Sequence, residues 1–224
     1  MVLPECFLFG SAARGDADEA SDTDVLIVYW SAPSPSVRER AKKSVMEQLM
    51  QDCTFAEYTW ARLSAMFSDG HLFAWHLYQE AQPLRGISSE RSAFSFPRPG
   101  PYRSARIDAL NFLDLLWSCV RAVEGDTASL TYEAGLSYVA VRNIGMSLSA
   151  LALPRPGFDR HVPFRVARAL RTSPPCDLDI YALMAAARHS SQRGLKAPSL
   201  DAEVLAPALA GACRWAEVVM ETCL

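Results

Sequence analysis

The sequence predicts an α+β fold, a small mixed β-sheet with flanking helices followed by an all-α helical bundle, and three observations predict it. Runs rich in Val, Ile, Leu, Phe and Tyr that suit strands occur only before Trp60. A segment holding Pro97, Pro99, Gly100 and Pro101 then interrupts all regular patterning. Beyond it, apolar residues recur at three- and four-residue intervals and the strand signal is gone.

In chain order, Glu5 to Phe9 and Asp24 to Trp30 read as strands, and the Gly, Ala, Asp and Ser between them read as a loop. From Ser36, Val37, Ala41, Val45, Leu49 and Met50 follow helical spacing, and Cys53 to Thr59 alternates as a third strand does. Two further helices are expected at Trp60 to Phe67 and Gly70 to Glu80. The stretch Ser92 to Ser104 reads as a linker, which divides the chain into a sheet domain at 1–95 and a helical domain at 104–224. The second domain is expected to hold helices at Ala105 to Val123, Leu130 to Leu153, Phe164 to Leu170, Leu178 to His189 and Leu200 to Cys223, in the manner of a bundle.

Composition narrows the function classes. With 224 residues and 50% apolar content the chain can build a sizeable core. A net charge of −3 and a pI near 5.8 give no general attraction to polyphosphate, so a large nucleic-acid footprint is not expected. Six cysteines at wide, irregular spacings, with no C-x2-C pair, read as reduced and mostly buried thiols. Neither a secretory leader nor a run of about 18 apolar residues is present, so the expected setting is soluble and cytoplasmic, away from membranes.

The chemistry-bearing residues are concentrated near the N-terminus. Gly10 and Ser11 follow the first strand directly, where a glycine lets backbone amides approach phosphate and a hydroxyl can donate to an oxygen. Arg14 can pair with phosphate oxygens through its planar fork. Asp22 and Asp24 stand two apart at the start of the second strand, so the period of two sends both carboxylates to one face. Hard oxygen ligands in that arrangement suit Mg2+, and a pair of metal ions can clamp the attacking and leaving oxygens of a phosphoryl displacement.

Phe9-Gly10-Ser11-Ala12-Ala13-Arg14-Gly15 followed by Ser21-Asp22-Thr23-Asp24-Val25-Leu26-Ile27, with ten residues between Gly-Ser and Asp-x-Asp, resembles the signature of the polymerase-β-like nucleotidyltransferases, in particular their minimal members. The resemblance implies that Ser11 and Arg14 contact the β- and γ-phosphates of an NTP, ATP foremost, and that Asp22 and Asp24 coordinate two Mg2+ ions. It implies transfer of NMP to a hydroxyl of an acceptor that is a protein, an antibiotic-like small molecule or an RNA end. The superfamily also includes aminoglycoside nucleotidyltransferases, in which a cleft can be shared between subunits, and the partners of HEPN toxins. The resemblance leaves open a partner toxin or a homodimer, the latter with the apolar C-terminal helix as its surface. The competing reading is a catalytically silent module that binds nucleotide or a partner as an antitoxin. A third carboxylate belongs to the pattern and lies on a later strand; Glu57 is either that catalytic and metal-binding group or a strand-end Glu facing water. The first strand starts within five residues of Met1, where family members usually have a preceding helix, so a trimmed edge or a different start is expected.

Other signals read as structural. His71 and His76 are five apart, an offset that does not stack two rings on a helix. Tyr138, Arg142 and Asn143 resemble the corresponding helix of HEPN-like bundles, but the window Ile144 to Ala150 lacks the His of the ribonuclease members. Arg142 then faces either nucleotide or acceptor, or pairs inside the bundle with an acid such as Glu133. Arg155, Arg160, Arg165, Arg168 and Arg171 form a basic stretch that is either a solvated face or a seat for an anionic acceptor.

Overall fold

A computed structural model of the chain describes residues 4–17, 22–84, 95–125, 129–194 and 196–223. These fall into two compact units, Met1–Tyr102 and Arg103–Leu224.

The first unit is built on a four-stranded mixed sheet of order β3-β2-β1-β4. Strand β1 (Glu5–Phe9) runs into a single-turn helix α1 (Gly10–Arg14) and pairs antiparallel with β2 (Asp24–Tyr29), Phe9 opposite Asp24. Helix α2 (Pro35–Leu49) then crosses over, which is what lets β3 (Thr54–Thr59) lie parallel to β2. Helices α3 (Trp60–Ser68) and α4 (Leu72–Glu80) lead to a two-residue edge strand, β4 (Gln82–Pro83), antiparallel to β1. Pro83 is acceptable there because an edge strand can spare one amide.

Both faces of the sheet are covered, so β2 is apolar without alternation from Val25 to Tyr29. Phe7, Phe9, Leu26 and Val28 meet Leu63, Phe67, Ala74 and Leu77 of α3 and α4 on one face. Cys6, Val25, Ile27 and Tyr29 meet Ala41 and Val45 of α2 on the other. Residues 95–102 have no regular structure, yet they belong to this unit rather than forming a free linker. Phe96 stacks on Phe67 at 5.2 Å and tilts onto Phe7 at 4.8 Å, Gly100 N donates to the Phe67 carbonyl at 2.8 Å, and Trp75 Nε1 donates to the Gly100 carbonyl at 3.0 Å. Ser92, the expected start of the linker, lies outside the described residues.

The second unit is all-helical, with α5 (Ala105–Glu124), α6 (Leu130–Ala152), α7 (Val162–Leu170), α8 (Leu178–Arg193) and α9 (Ala202–Thr222) close to the ranges the periodicity predicts. Helix α6 is the central one and packs on all four others. Ala134, Ala140, Val141, Ile144 and Leu148 bury its apolar side, and small residues let neighbours approach its backbone. The apolar side of α9, including Leu205, Leu209, Cys213, Ala216 and Val219, is turned into the same core. All six cysteines are free; burial pushes the thiols of Cys6 and Cys213 up to about 12, so they act as small apolar groups. Among the described residues no helix is long and apolar enough to cross a membrane.

The α6–α7 crossing is the tightest approach in this core. A Cβ on Gly145 would fall 2.8 Å from the backbone nitrogen and Cα of Pro163, so the two helices touch backbone to backbone. Gly145→Ala is expected to lower the unfolding free energy by about 1–3 kcal/mol despite the better helix propensity of Ala. Urea unfolding checks this; a stabilised variant would mean that the crossing relaxes freely.

Candidate functional site

The sheet is ordered so that β1 ends where β2 begins. Chain reversal between them passes through α1, and that junction gathers most of the residues singled out from the sequence. Gly10 opens α1 with φ of 73°, a left-handed backbone that favours glycine. Its missing side chain matters as much as its φ: a Cβ would lie 2.7 Å from Asp24 Oδ2. The Asp24 carboxylate therefore rests against the Gly10 α-carbon at the start of α1. Ser11 is partly exposed, and its hydroxyl has no partner among the described residues. Its carbonyl accepts from Gly15 N at 3.0 Å and Asp16 N at 3.2 Å, which closes the helix after one turn.

Arg14 ends α1 and is held by two carboxylates. Its Nε donates to Asp16 Oδ2 at 3.1 Å and its Nη1 to Glu80 Oε2 at 2.7 Å, leaving Nη2 without a partner among the described residues. Burial alone would lower its pKa, but the bonds and charges of Asp16 and Glu80 outweigh it and raise the value, so the charge is permanent. Glu80 Oε2 also pairs with His76 Nε2 at 2.8 Å, and the His76 ring stands edge-on to Phe9 at 5.5 Å. Gln82 Nε2 reaches back to the Ala13 carbonyl at 2.6 Å. Helix α4 and strand β4 thus brace α1 from behind. The sequence reads His76 as structural and gives Glu80 and Gln82 no role, although His76 and Glu80 stand at the i, i+4 spacing of helix partners. His71 caps α4 instead, Nδ1 accepting from Phe73 N at 3.1 Å.

Asp24 is the first residue of β2 and Asp22 lies two residues before the strand, exposed. Ser21 falls outside the described residues. The Asp24 carboxylate against a glycine-opened turn, with Asp22 two residues earlier in the chain, supplies hard oxygens of the kind Mg2+ takes, one or two protein carboxylates with water and substrate phosphate completing its shell.

Glu57 is not part of this group, which corrects the expectation of a third carboxylate there. Register pairs Asp24 with Thr54 and Ile27 with Glu57, so Asp24 shares a face with Thr54, Ala56 and Tyr58, and Glu57 faces the other way. On that side its Oε2 accepts from Tyr29 Oη at 3.0 Å and its Oε1 meets Lys42 Nζ of α2 at 2.8 Å. Burial would raise its pKa, but the bonds from Lys42 and Tyr29 prevail and hold it below the usual carboxylate value. Among the described residues, no three His, Cys, Asp or Glu side chains gather as a metal site.

In the helical unit, Arg142 Nη2 donates to the Phe158 carbonyl at 2.8 Å and Asn143 Nδ2 to Val139 of its own helix at 2.7 Å, while Tyr138 packs on Tyr181 at 5.2 Å. These three serve the interior of the bundle. Within the basic stretch, Arg165 is engaged by Asp159.

Residues 5–54, which contain β1, α1, β2 and α2, match the family model described as the nucleotidyltransferase domain. The match supports nucleotidyl transfer as the general class of function for this unit. No curated protein matches the chain.

The Glu57 ion pair makes a pH-dependent contribution whose sign is fixed. A carboxylate with a depressed folded-state pKa stabilises fully above its unfolded value, near 4.5, and loses that contribution as pH falls through the lower folded value. Glu57→Gln is expected to cost about 1 kcal/mol at neutral pH, the scale of a charged bond partly open to water. Urea unfolding of both proteins from pH 7 downward should show the difference shrink to nothing in acid; a gap of constant size would contradict the pairing.

Proposed function

We propose that the chain is a metal-dependent nucleotidyltransferase that moves an NMP, AMP foremost, from NTP to a hydroxyl of a protein, a small molecule such as an antibiotic, or an RNA end, with release of pyrophosphate. The observation that carries this reading is the contact of Gly10 with Asp24. It sets the amide-rich turn suited to phosphate and the carboxylate suited to metal on one side of one sheet, inside the segment that matches the nucleotidyltransferase domain. In this reading the Ser11 hydroxyl and Arg14 Nη2, which has no partner among the described residues, hold the β- and γ-phosphates. Asp16 and Glu80 fix the rest of the guanidinium, so little side-chain freedom is lost on binding. Asp22 and Asp24 hold Mg2+, two ions in the full site; when bound, the metal neutralises charge on the triphosphate and polarises the α-phosphate. The acceptor oxygen bonds to the α-phosphorus as the bond from that phosphorus to the bridging oxygen of the β-phosphate breaks, and the hydroxyl proton passes to water.

A second reading is favoured by one specific feature. On the Asp24 face β3 carries Thr54, Ala56 and Tyr58 and no acid, while Glu57 is committed elsewhere. A catalytically silent module that binds NTP and acts as an antitoxin or regulatory partner would have that makeup.

Incubation with each α-labelled NTP, Mg2+ and cell lysate separates the two. Label is expected on an acceptor, and Asp22→Asn with Asp24→Asn should reduce it by about 100-fold or more, the usual scale for loss of a main electrostatic stabiliser. Glu57→Gln should leave labelling unchanged. NTP binding without pyrophosphate release would favour the silent module, and labelling that survives the double Asp substitution would overturn the enzymatic reading.

A further inference from the structure

The turn between α7 and α8, together with α9, lines an open cavity of about 660 Å³ on the helical unit. That is a size typical of small-molecule sites, roughly 300–1,000 Å³. Three features that cost the fold stability meet at this cavity.

Gly211 stands in the interior of α9, a position where glycine is disfavoured relative to Ala. Its backbone is not left-handed, and an added Cβ would make only ordinary contacts, 3.8 Å to the Pro175 carbonyl oxygen and 3.9 Å to Arg214 Nη2. Neither conformation nor space requires glycine here. What its bare α-carbon provides is an open floor beside the Arg214 guanidinium. Arg171, at the C-terminus of α7, adopts φ of 57° in a position that usually goes to glycine, and its side chain lines the cavity. Trp215, also on the wall and only 4% exposed, has an indole N–H with no partner among the described residues. Local rules broken together at one place are the mark of a functional site.

The chemistry of the walls specifies the ligand. Arg171 and Arg214 bring two guanidiniums that make no hydrogen bond or ion pair among the described residues, against one carboxylate, Asp177, so the cavity carries net positive charge. Pro175, Ile180, Trp215 and Val218 add apolar surface suited to a ring. We propose that this cavity binds a small organic anion, an acidic head group carried on an apolar ring-sized body, and that it does so independently of nucleotidyl transfer.

The test is fluorescence titration of the full chain with 1-anilinonaphthalene-8-sulfonate, with N-phenyl-1-naphthylamine as its uncharged counterpart. The sulfonate is expected to bind saturably at one site and about tenfold or more tighter than the neutral dye, and Arg171→Gln with Arg214→Gln should remove about that factor. Gly211→Leu should abolish binding by filling the floor, while Gly211→Ala should raise the melting temperature as an ordinary helix substitution does. The two Arg side chains are exposed, so that variant retains the fold and keeps the test decisive if Gly211→Leu does not. Absence of sulfonate binding, equal affinity for the neutral dye, or binding untouched by the Arg pair would each overturn the proposal.

Discussion

The Asp24 carboxylate lies against the α-carbon of Gly10, and the organisation of the first unit follows from that approach. It requires β1 to end opposite the start of β2, and it requires a residue with no Cβ and a left-handed backbone at the corner. A turn of that kind sets the amides of a short helix beside the Asp24 carboxylate. The surrounding elements can be understood as its support. Arg14 is tied to Glu80, Ala13 to Gln82, and His76 wedges between Glu80 and Phe9. A single turn of helix has little stability of its own, so external bracing is what keeps it formed.

Much of this was legible in the sequence because the relevant signals are local. β1 and β2 were marked by apolar runs, the helices of the second unit by their spacing, and Gly10, Ser11, Asp22 and Asp24 by residue type and separation. What could not be read locally was strand register. Whether Glu57 or its neighbour Ala56 shares a face with Asp24 is decided by a pairing made thirty-odd positions away in sequence, and a shift of one residue reverses the answer. α1 was hidden because Gly10-Ser11-Ala12-Ala13-Arg14 is too short for a periodic pattern to show. Glu80 was hidden because its partner Arg14 is 66 residues away.

Charge is distributed differently on the two sides of the sheet, and this separates the roles of its acids. On the α2 side, Glu57 has one donor on each oxygen, and the Lys42 bond ties the helix to the strand. On the other side, Asp24 rests on a glycine and Asp22 is exposed to solvent. An acid already paired with a lysine and hydrogen-bonded by a tyrosine has little to gain from a metal ion. The sheet therefore keeps the carboxylates of Glu57 and Asp24 apart by nothing more than the alternation of its side chains.

Phe96 and Gly100 give the proline-rich segment a role that its composition conceals. A fragment that stopped where the strand and helix patterns fade would bare the rings of Phe7 and Phe67, leave the Trp75 indole without the Gly100 carbonyl and take one of two donors from the Phe67 carbonyl. Such a piece would be sticky rather than inert. The first compact unit runs through this strap to Tyr102, so its boundary follows aromatic stacking rather than the last regular element.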